Sequence, residues 1–518
     1  MNGAHALIDS LANAGVDVCF ANPGTSEMHL VQAIDEIERL RPVLCLFEGV
    51  CTGAADGYGR MRDFPAATLL HLGAGLGNGI ANLHNARRAA TPLLNVVGDH
   101  AVHHVPYDAP LTADIEGVAR PVSAWIRTAR TASGLGGDAW DAVAATLTPR
   151  PDPAGRVATL IVPADCAWGD AVPAPPRPLP ERYLPSPEAA LAAVAEALNE
   201  DALLLLDGNA LTEAGLAAAG RLARATGCRV YSTTFPARVE AGPGVFPAQR
   251  LPYFPEQILE TLAGVRTLVL VGSDAPVSFF AYRGQPSLLV PDGCRVLRLN
   301  HRHEDGAGAL TALAGALGAM PGAPTTATPA SAPRPALPSG KLSSRAVGQI
   351  LAALVPDGAV VTSDSGGGGA AFPPLQQSVR HTWLHLTGGA IGQAGPAAVG
   401  AAVACPDRPV LALIGDGAAM YTNQFLWTAA RERLRVVTVV YANRSYGILD
   451  LEYRRLGINQ PGPRAASLFD LGNPALDWPS LAAAQGVPGV RAATCEEFAD
   501  AVRSALATPG PYLIEACV

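Results

Sequence analysis

The sequence predicts an α/β protein of three doubly wound domains, each built on a parallel sheet. Three observations lead there. Short runs of apolar residues alternate with helical patterns along nearly the whole chain, as in parallel sheets covered by helices. Two proline-rich stretches interrupt that alternation: VPAPPRPLPERYLPS at 172–186 and GAMPGAPTTATPASAPRPALPSG, ending at Gly340. The length of 518 residues also exceeds what one ordinary core organises.

The first segment, residues 1–175, is expected to carry strands at Val16–Ala21, Val43–Phe47, Ala67–His71, Leu93–Val97 and Thr159–Val162. The second, 187–319, has strand patterns at Ala202–Leu206, Thr267–Val271 and Arg295–Leu299. A linker at 320–340 leads to the third segment, 341–518, with strands at Ala359–Thr362, Val410–Ile414, Val436–Tyr441 and Tyr512–Ala516.

Composition excludes several classes. With 49% hydrophobic and 16% charged residues the chain is a globular enzyme in character, not a disordered one. The net charge of -8 includes no basic block, so no nucleic-acid partner is expected. Nine scattered cysteines without a CxxC pair suggest buried thiols rather than a disulfide framework or a zinc site. The first twenty residues lack the basic and apolar parts of a signal peptide, and no apolar run reaches the roughly 18 residues of a membrane span. A cytoplasmic location is the expectation.

The strongest chemical signal is VLALIGDGAAMYTNQFLWTAARERLRVVTVVYANRSYGIL. A buried strand ends at Gly415-Asp416-Gly417, a helix follows, and the next buried strand ends at Asn443. In an open parallel sheet both ends lie on one edge, where ligands bind. A carboxylate and an amide oxygen side by side are hard ligands suited to magnesium. The glycines admit a diphosphate to the backbone, and the following helix start offers free N–H groups.

This pattern resembles the thiamine-diphosphate-dependent enzymes of the acetolactate synthase, benzoylformate decarboxylase and pyruvate decarboxylase superfamily. Their signature is GDG, a helix, then NN at the next strand end; here Ala442-Asn443 keeps the second asparagine. The resemblance implies Mg²⁺ held by Asp416, Asn443 and the Ser445 carbonyl, and a diphosphate lined by Gly415, Gly417, Ala418 and Ala419, with Tyr446 and Ile448 behind. A second mark, LCLFEGVCTGAADGYGR from Leu44 to Arg60, is similar to the family's glutamate-bearing strand end. It implies that Glu48 bonds the aminopyrimidine ring and promotes deprotonation of the thiazolium carbon. Read from the residues alone, Glu48 is equally a carboxylate at a helix start, stabilised by the dipole. A third mark, LHLTGGAIGQAGPAAVGAAVACPDRPV, implies a backbone carbonyl from Thr387-Gly388-Gly389 at the aminopyrimidine and Ile391 as the apolar prop of the bent cofactor. Upstream, Ser363-Asp364-Ser365-Gly366 matches the family loop that touches the diphosphate, although GGGG at 366–369 also reads as a flexible run.

On the substrate side, ANPGTSEMHL is similar to a benzoylformate decarboxylase segment in which Thr25 takes the place of an active-site serine. His71 falls where that enzyme has a histidine. The pair His103 and His104 is similar to the HH pair of pyruvate decarboxylases, with Asp99 and Asp108 as candidates to orient it; solvated loop histidines are the other reading. The second histidine of benzoylformate decarboxylase would fall near Ala281, where this chain has APVSFFAY. Nothing in the middle segment resembles the flavin-binding stretch of acetolactate synthases, so FAD is not expected.

Together these marks imply a 2-keto acid decarboxylase or carboligase that breaks or makes carbon–carbon bonds through an ylide and an enamine. A homodimer or homotetramer with sites at the subunit interface follows from the family. Alternatives are an acetolactate synthase proper, condensing two keto acids, and a non-catalytic cofactor-binding partner subunit. The run GAGLGNG at 73–79 is a weak dinucleotide signal, since it is not GxGxxG.

Overall fold

The computed structural model describes residues 1–150, 155–319 and 332–518. Residues 320–331 of the expected linker therefore lie outside the described residues. Three sheets organise the chain. In the first, the strands run in the order Arg41–Leu44, Val18–Asn22, Ala67–His71, Leu93–Asp99, Val157–Pro163, Trp125–Thr128, all parallel. The central sheet has five parallel strands, with Ala202–Leu206 in the middle.

The third sheet repeats the order of the first. Its parallel strands run His381–His385, Ala359–Ser363, Val410–Gly415, Val436–Ala442, Tyr512–Cys517, Gly489–Ala492. In both sheets the order reverses beside the first strand, which opens a crevice between the carboxyl ends of the first and third strands of the unit. One difference from the all-parallel expectation is Arg238–Ala241. It lies in the central stretch of sequence yet pairs antiparallel with His381–His385 at the edge of the third sheet.

Side-chain alternation shows why these sheets are covered on both faces. Val18 and Phe20 enter one core while Cys19 and Ala21 enter another. In the third sheet Val360, Ala412 and Ile414 face one core, and Val361, Leu411 and Leu413 face a second. Strands buried on both faces read as continuous apolar runs, so they were legible. The unpredicted Trp125–Thr128, Arg229–Ser232, His381–His385 and Gly489–Ala492 are short and carry polar or charged residues that hide the pattern.

Glycine and alanine content has a specific use. The helix Glu48–Arg62 crosses the helix Ala394–Ala404 so closely that a Cβ at Gly57 would stand 2.1 Å from the Ala397 carbonyl oxygen. A Cβ at Gly400 would stand 1.8 Å from the Ala54 carbonyl oxygen. This contact locks the first and third sheets' layers together, and their side chains merge into one core.

Candidate active site

At the crevice of the first sheet, the strand Val18–Asn22 ends in Pro23-Gly24 and a short turn, Thr25–Glu27. The strand Ala67–His71 ends beside it and turns into the helix Leu72–Ala89 through Leu72, a buried non-glycine residue at φ +49°. Left-handed backbone at a leucine is sterically costly, and such strain gathers at functional turns. His71 Nδ1 lies 2.8 Å from Glu27 Oε2 and 3.3 Å from Ser26 Oγ. Glu27 is fully buried and was not singled out from the sequence; its signal was the glutamate three residues after a loop glycine, at the end of the turn.

Glu48 opens the helix Glu48–Arg62 and is 7% exposed. Its carboxylate does not cap that helix. Oε2 accepts from Asn78 Nδ2 at 3.0 Å instead, so the carboxylate at this helix start is held by a side chain of a neighbouring helix. Gly75 clears the space: a Cβ there would stand 3.1 Å from Glu48 Oε1 and 3.4 Å from His71 Cβ. The Glu48 carboxylate thus lies against the first turn of the helix Leu72–Ala89, the turn that follows His71. Asn78 was also missed, since an asparagine on a helix surface has no distinguishing pattern in sequence.

The crevice of the third sheet brings together the loops after Ala359–Ser363 and Val410–Gly415. Ser365 caps the turn Gly366–Gly369 by accepting from Gly368 N at 2.8 Å, so this glycine run is a helical turn rather than a loose loop. A Cβ at Gly415 would meet Ser365 Cβ at 3.4 Å. Asp416 is buried, and burial pushes its carboxyl above the usual range. Its oxygens accept from Gly417 N at 2.9 Å and Arg444 N at 2.7 Å. Arg444, at φ +56°, turns the chain between Asn443 and Ser445. Asn443 Oδ1 accepts from Ser445 N at 3.1 Å. The Tyr446 ring lies on Gly417, where a Cβ would come within 2.3 Å of it.

Two family models match the chain: "Thiamine pyrophosphate enzyme, N-terminal TPP binding domain" over residues 1–118 and the corresponding C-terminal TPP binding domain over 368–516. A relative in Mycobacterium tuberculosis named "Putative acetolactate synthase large subunit IlvX" is 50% identical over 100% of this chain and 99% of its own. The chain belongs to the thiamine pyrophosphate enzyme family. Benzoylformate decarboxylase of Pseudomonas aeruginosa is 30% identical, with 98% and 97% of the two chains covered. A thiamine diphosphate-dependent 4-hydroxybenzoylformate decarboxylase of Rhodococcus jostii RHA1 superposes with a TM-score of 0.85 at 25% identity, covering 100% and 99%. The two matched segments fall on the first and third sheets respectively.

Within this thiamine pyrophosphate enzyme, the ADGYGR motif acts as a clamp. Asp56, fully buried, pairs with Arg60 at 2.7 Å and accepts from Thr91 and Gln393. Arg60 in turn donates to the His385 carbonyl at 2.6 Å and to Thr387 Oγ1 at 3.0 Å. The motif of the first domain therefore holds the 385–393 loop of the third. That loop is fixed further by Asn85, which donates to the Ala390 carbonyl at 2.8 Å, and by His84, 3.1 Å from the Gly388 carbonyl. Asp364 Oδ2 accepts from Gly392 N and Ala394 N, and burial pushes this carboxyl up to about 6. Ile391 packs against the shared core.

Phe279 reaches this loop from the central sheet's side: a Cβ at Gly389 would stand 2.8 Å from its Cζ. Phe279 packs edge-to-face against Phe280 and Phe235 and tilted against Tyr253, at centroid distances of 4.8, 5.8 and 5.4 Å. Tyr282, beyond it, donates to Glu452 at 3.0 Å on the helix Gly447–Arg455, which exposes Ile448 and Leu449. The stretch that carries no second histidine is an aromatic wall.

Thr25 is exposed at the start of its turn. His103 and His104 are exposed on the loop that follows Leu93–Asp99. His103 faces Asp165 at 4.0 Å, and Asp99 is taken up by the His100 amide at 2.7 Å.

Proposed function

We propose that this thiamine pyrophosphate enzyme is a Mg²⁺-dependent 2-keto acid decarboxylase or carboligase whose proton chemistry centres on Glu48 and His71. The observation that carries it is their placement at one crevice: the buried Glu48 carboxylate lies against Gly75 in the turn that follows the half-buried His71. The third sheet offers a second crevice of the same topology whose groups suit an anion and a hard cation.

The donor set fits magnesium. Asp416 supplies a carboxylate, Asn443 an amide oxygen and Ser445 a carbonyl, all oxygen donors. Among the described residues no cluster of three His, Cys, Asp or Glu offers a softer site. Among the described residues Asp416 has only backbone N–H partners, so a cation there would offset its burial. Ser365, Gly366, Gly415, Gly417, Ala418 and Ala419 would hold the diphosphate. Gly389 and Ile391, with Tyr446 and Ile448, would seat the two rings in a bent form.

Thiamine diphosphate supplies an acidic thiazolium carbon that adds to a keto group and takes up the electrons released with carbon dioxide. Glu48 holds the proton at the aminopyrimidine. His71, with His103 or His104 and Thr25, serves the proton steps on the substrate side. Ile448, Leu449 and the Phe279 wall receive an apolar substrate side chain and exclude water. Each site draws on two subunits of a homodimer or homotetramer; the large apolar residues left exposed beside both crevices, Met28, Leu46, Tyr421 and Ile448 among them, support that arrangement. No helix among the described residues is long and apolar enough to cross a membrane, and nine unpaired cysteines suit a reducing cytoplasm.

Purified protein with Mg²⁺ and thiamine diphosphate, given pyruvate, benzoylformate and branched keto acids, should release carbon dioxide with an aldehyde or hydroxyketone. The name of the 50% identical relative favours a second reading, acetolactate synthase proper. Acetolactate as the main product from pyruvate would select it, and absence of turnover across the panel would overturn both.

A further inference from the structure

We propose that Glu27 is the positioning residue for His71, holding the imidazole as its Nδ1–H tautomer and presenting Nε2 to the substrate. Glu27 has no exposed surface, and among the described residues its one ionisable partner is His71. No described arginine or lysine pairs with it. A buried carboxylate without a fixed cation is costly unless its oxygens are fully engaged. Here they are. Oε2 accepts from Gly24 N at 2.7 Å and faces His71 Nδ1 at 2.8 Å, while Oε1 accepts from Ser26 Oγ at 2.7 Å.

The space is built for this pair. A Cβ at Gly98 would stand 1.8 Å from Glu27 Oε1, and one at Gly24 would stand 2.2 Å from His71 Nδ1. Gly98 is the register partner of His71 on the neighbouring strand. Three strand ends therefore leave out a side chain or bend, at Gly24, Leu72 and Gly98, around one carboxylate and one ring. A turn that only needed a cap would be served by an exposed acceptor, with no requirement for glycine on two other strands.

Tautomer follows from chemistry. An ionised carboxylate accepts only, so the ring nitrogen facing it must carry hydrogen. Nε2 is then the acceptor in the neutral ring, and no described protein group bonds it. A proton arriving at Nε2 makes an imidazolium whose charge lies against Glu27, the same division of labour as between histidine and aspartate in hydrolase triads.

The assignment of Nε2 to the substrate rests on the proposed function; the tautomer does not. Histidine-¹⁵N-labelled protein without added cofactor, with His71 identified by the signal missing in His71→Asn, should show Nδ1 protonated at alkaline pH. In Glu27→Gln, the amide can donate to Nδ1 and the ring should change to the Nε2–H form. Ser26→Ala removes one donor to Glu27 and should leave the tautomer unchanged. With an active keto acid, Glu27→Gln should lower kcat by about 10²-fold or more, with thiamine diphosphate affinity within twofold of the parent. A ring protonated on Nε2 in the parent, or a Glu27→Gln variant whose His71 spectrum does not move, overturns the proposal. A shifted tautomer in a protein that turns over no keto acid would sustain the pair and refute the reaction.

Discussion

The first and third sheets have the same strand order and the same crevice, yet they are finished differently. At the first, carboxylates meet side chains: Glu27 meets Ser26 and His71, and Glu48 meets Asn78. At the third, Asp416 meets only backbone N–H groups among the described residues, and the Asn443 oxygen is turned onto its own loop. Facing an ionised carboxylate fixes where a partner's proton sits, because the carboxylate can only accept. Backbone partners fix a shape and leave oxygen lone pairs for a cation. One topology thus supports two chemistries, and the difference lies in what fills the turn after the strand.

The largest test of this contrast is Glu48→Gln, which keeps the Asn78 contact but removes the proton acceptor. Turnover should fall by about 10²–10⁴-fold with cofactor binding by calorimetry retained; unchanged turnover would remove Glu48 from its role. Next is the clamp that joins the two crevices. Arg60→Ala leaves Asp56 buried without its cation and should destabilise the fold by about 3–5 kcal/mol, read by urea denaturation. An intact transition midpoint would show that the 385–393 loop is held by other means.

Asp416→Ala should weaken Mg²⁺-dependent binding of thiamine diphosphate by at least about 10–100-fold, as losses around metal sites do. Titration calorimetry checks this, and the His71 tautomer should not respond. A smaller change is expected from Phe279→Ala. The preference in kcat/KM for large over small apolar keto acids should fall by about tenfold, whereas a polar wall at that position would predict a change in KM for all substrates alike.

The mildest effect concerns Asp364, whose carboxyl is raised by burial to about 6. Because the folded protein binds this proton more tightly than the unfolded chain, its stabilising contribution is complete below the ordinary value of 3.8 and is lost as pH rises through about 6. Asp364→Asn should flatten the stability profile over that interval. A slope identical to the parent's would place the group's titration elsewhere.

Much of the fold was legible because it depends on period and punctuation. Buried strands such as Val410–Gly415 and Val436–Ala442 announce themselves as apolar runs, and Gly415-Asp416-Gly417 marks the turn between strand and helix. The edge strand Arg238–Ala241 was not legible, since pairing antiparallel with a strand some 140 residues away leaves no local trace. In the site, Glu48 and Asp416 could be singled out because a carboxylate at the end of an apolar run needs a reason to be there. Glu27 and Asn78 could not. Each matters through a partner distant in sequence: Glu27 through His71, Asn78 through Glu48.

By itself the sequence determined the layers, the two glycine-rich crevices and the family, because apolar periodicity and backbone freedom are local properties. Tertiary structure alone decided which side chain faces which: that ADGYGR grips a loop more than 300 residues downstream, that Phe279 covers Gly389, and that His71 leans on a buried glutamate. Those pairings arise when strand ends from distant segments meet at a sheet edge, and hydrogen bonds at 2.6–3.0 Å depend on that meeting, not on the order of residues along the chain.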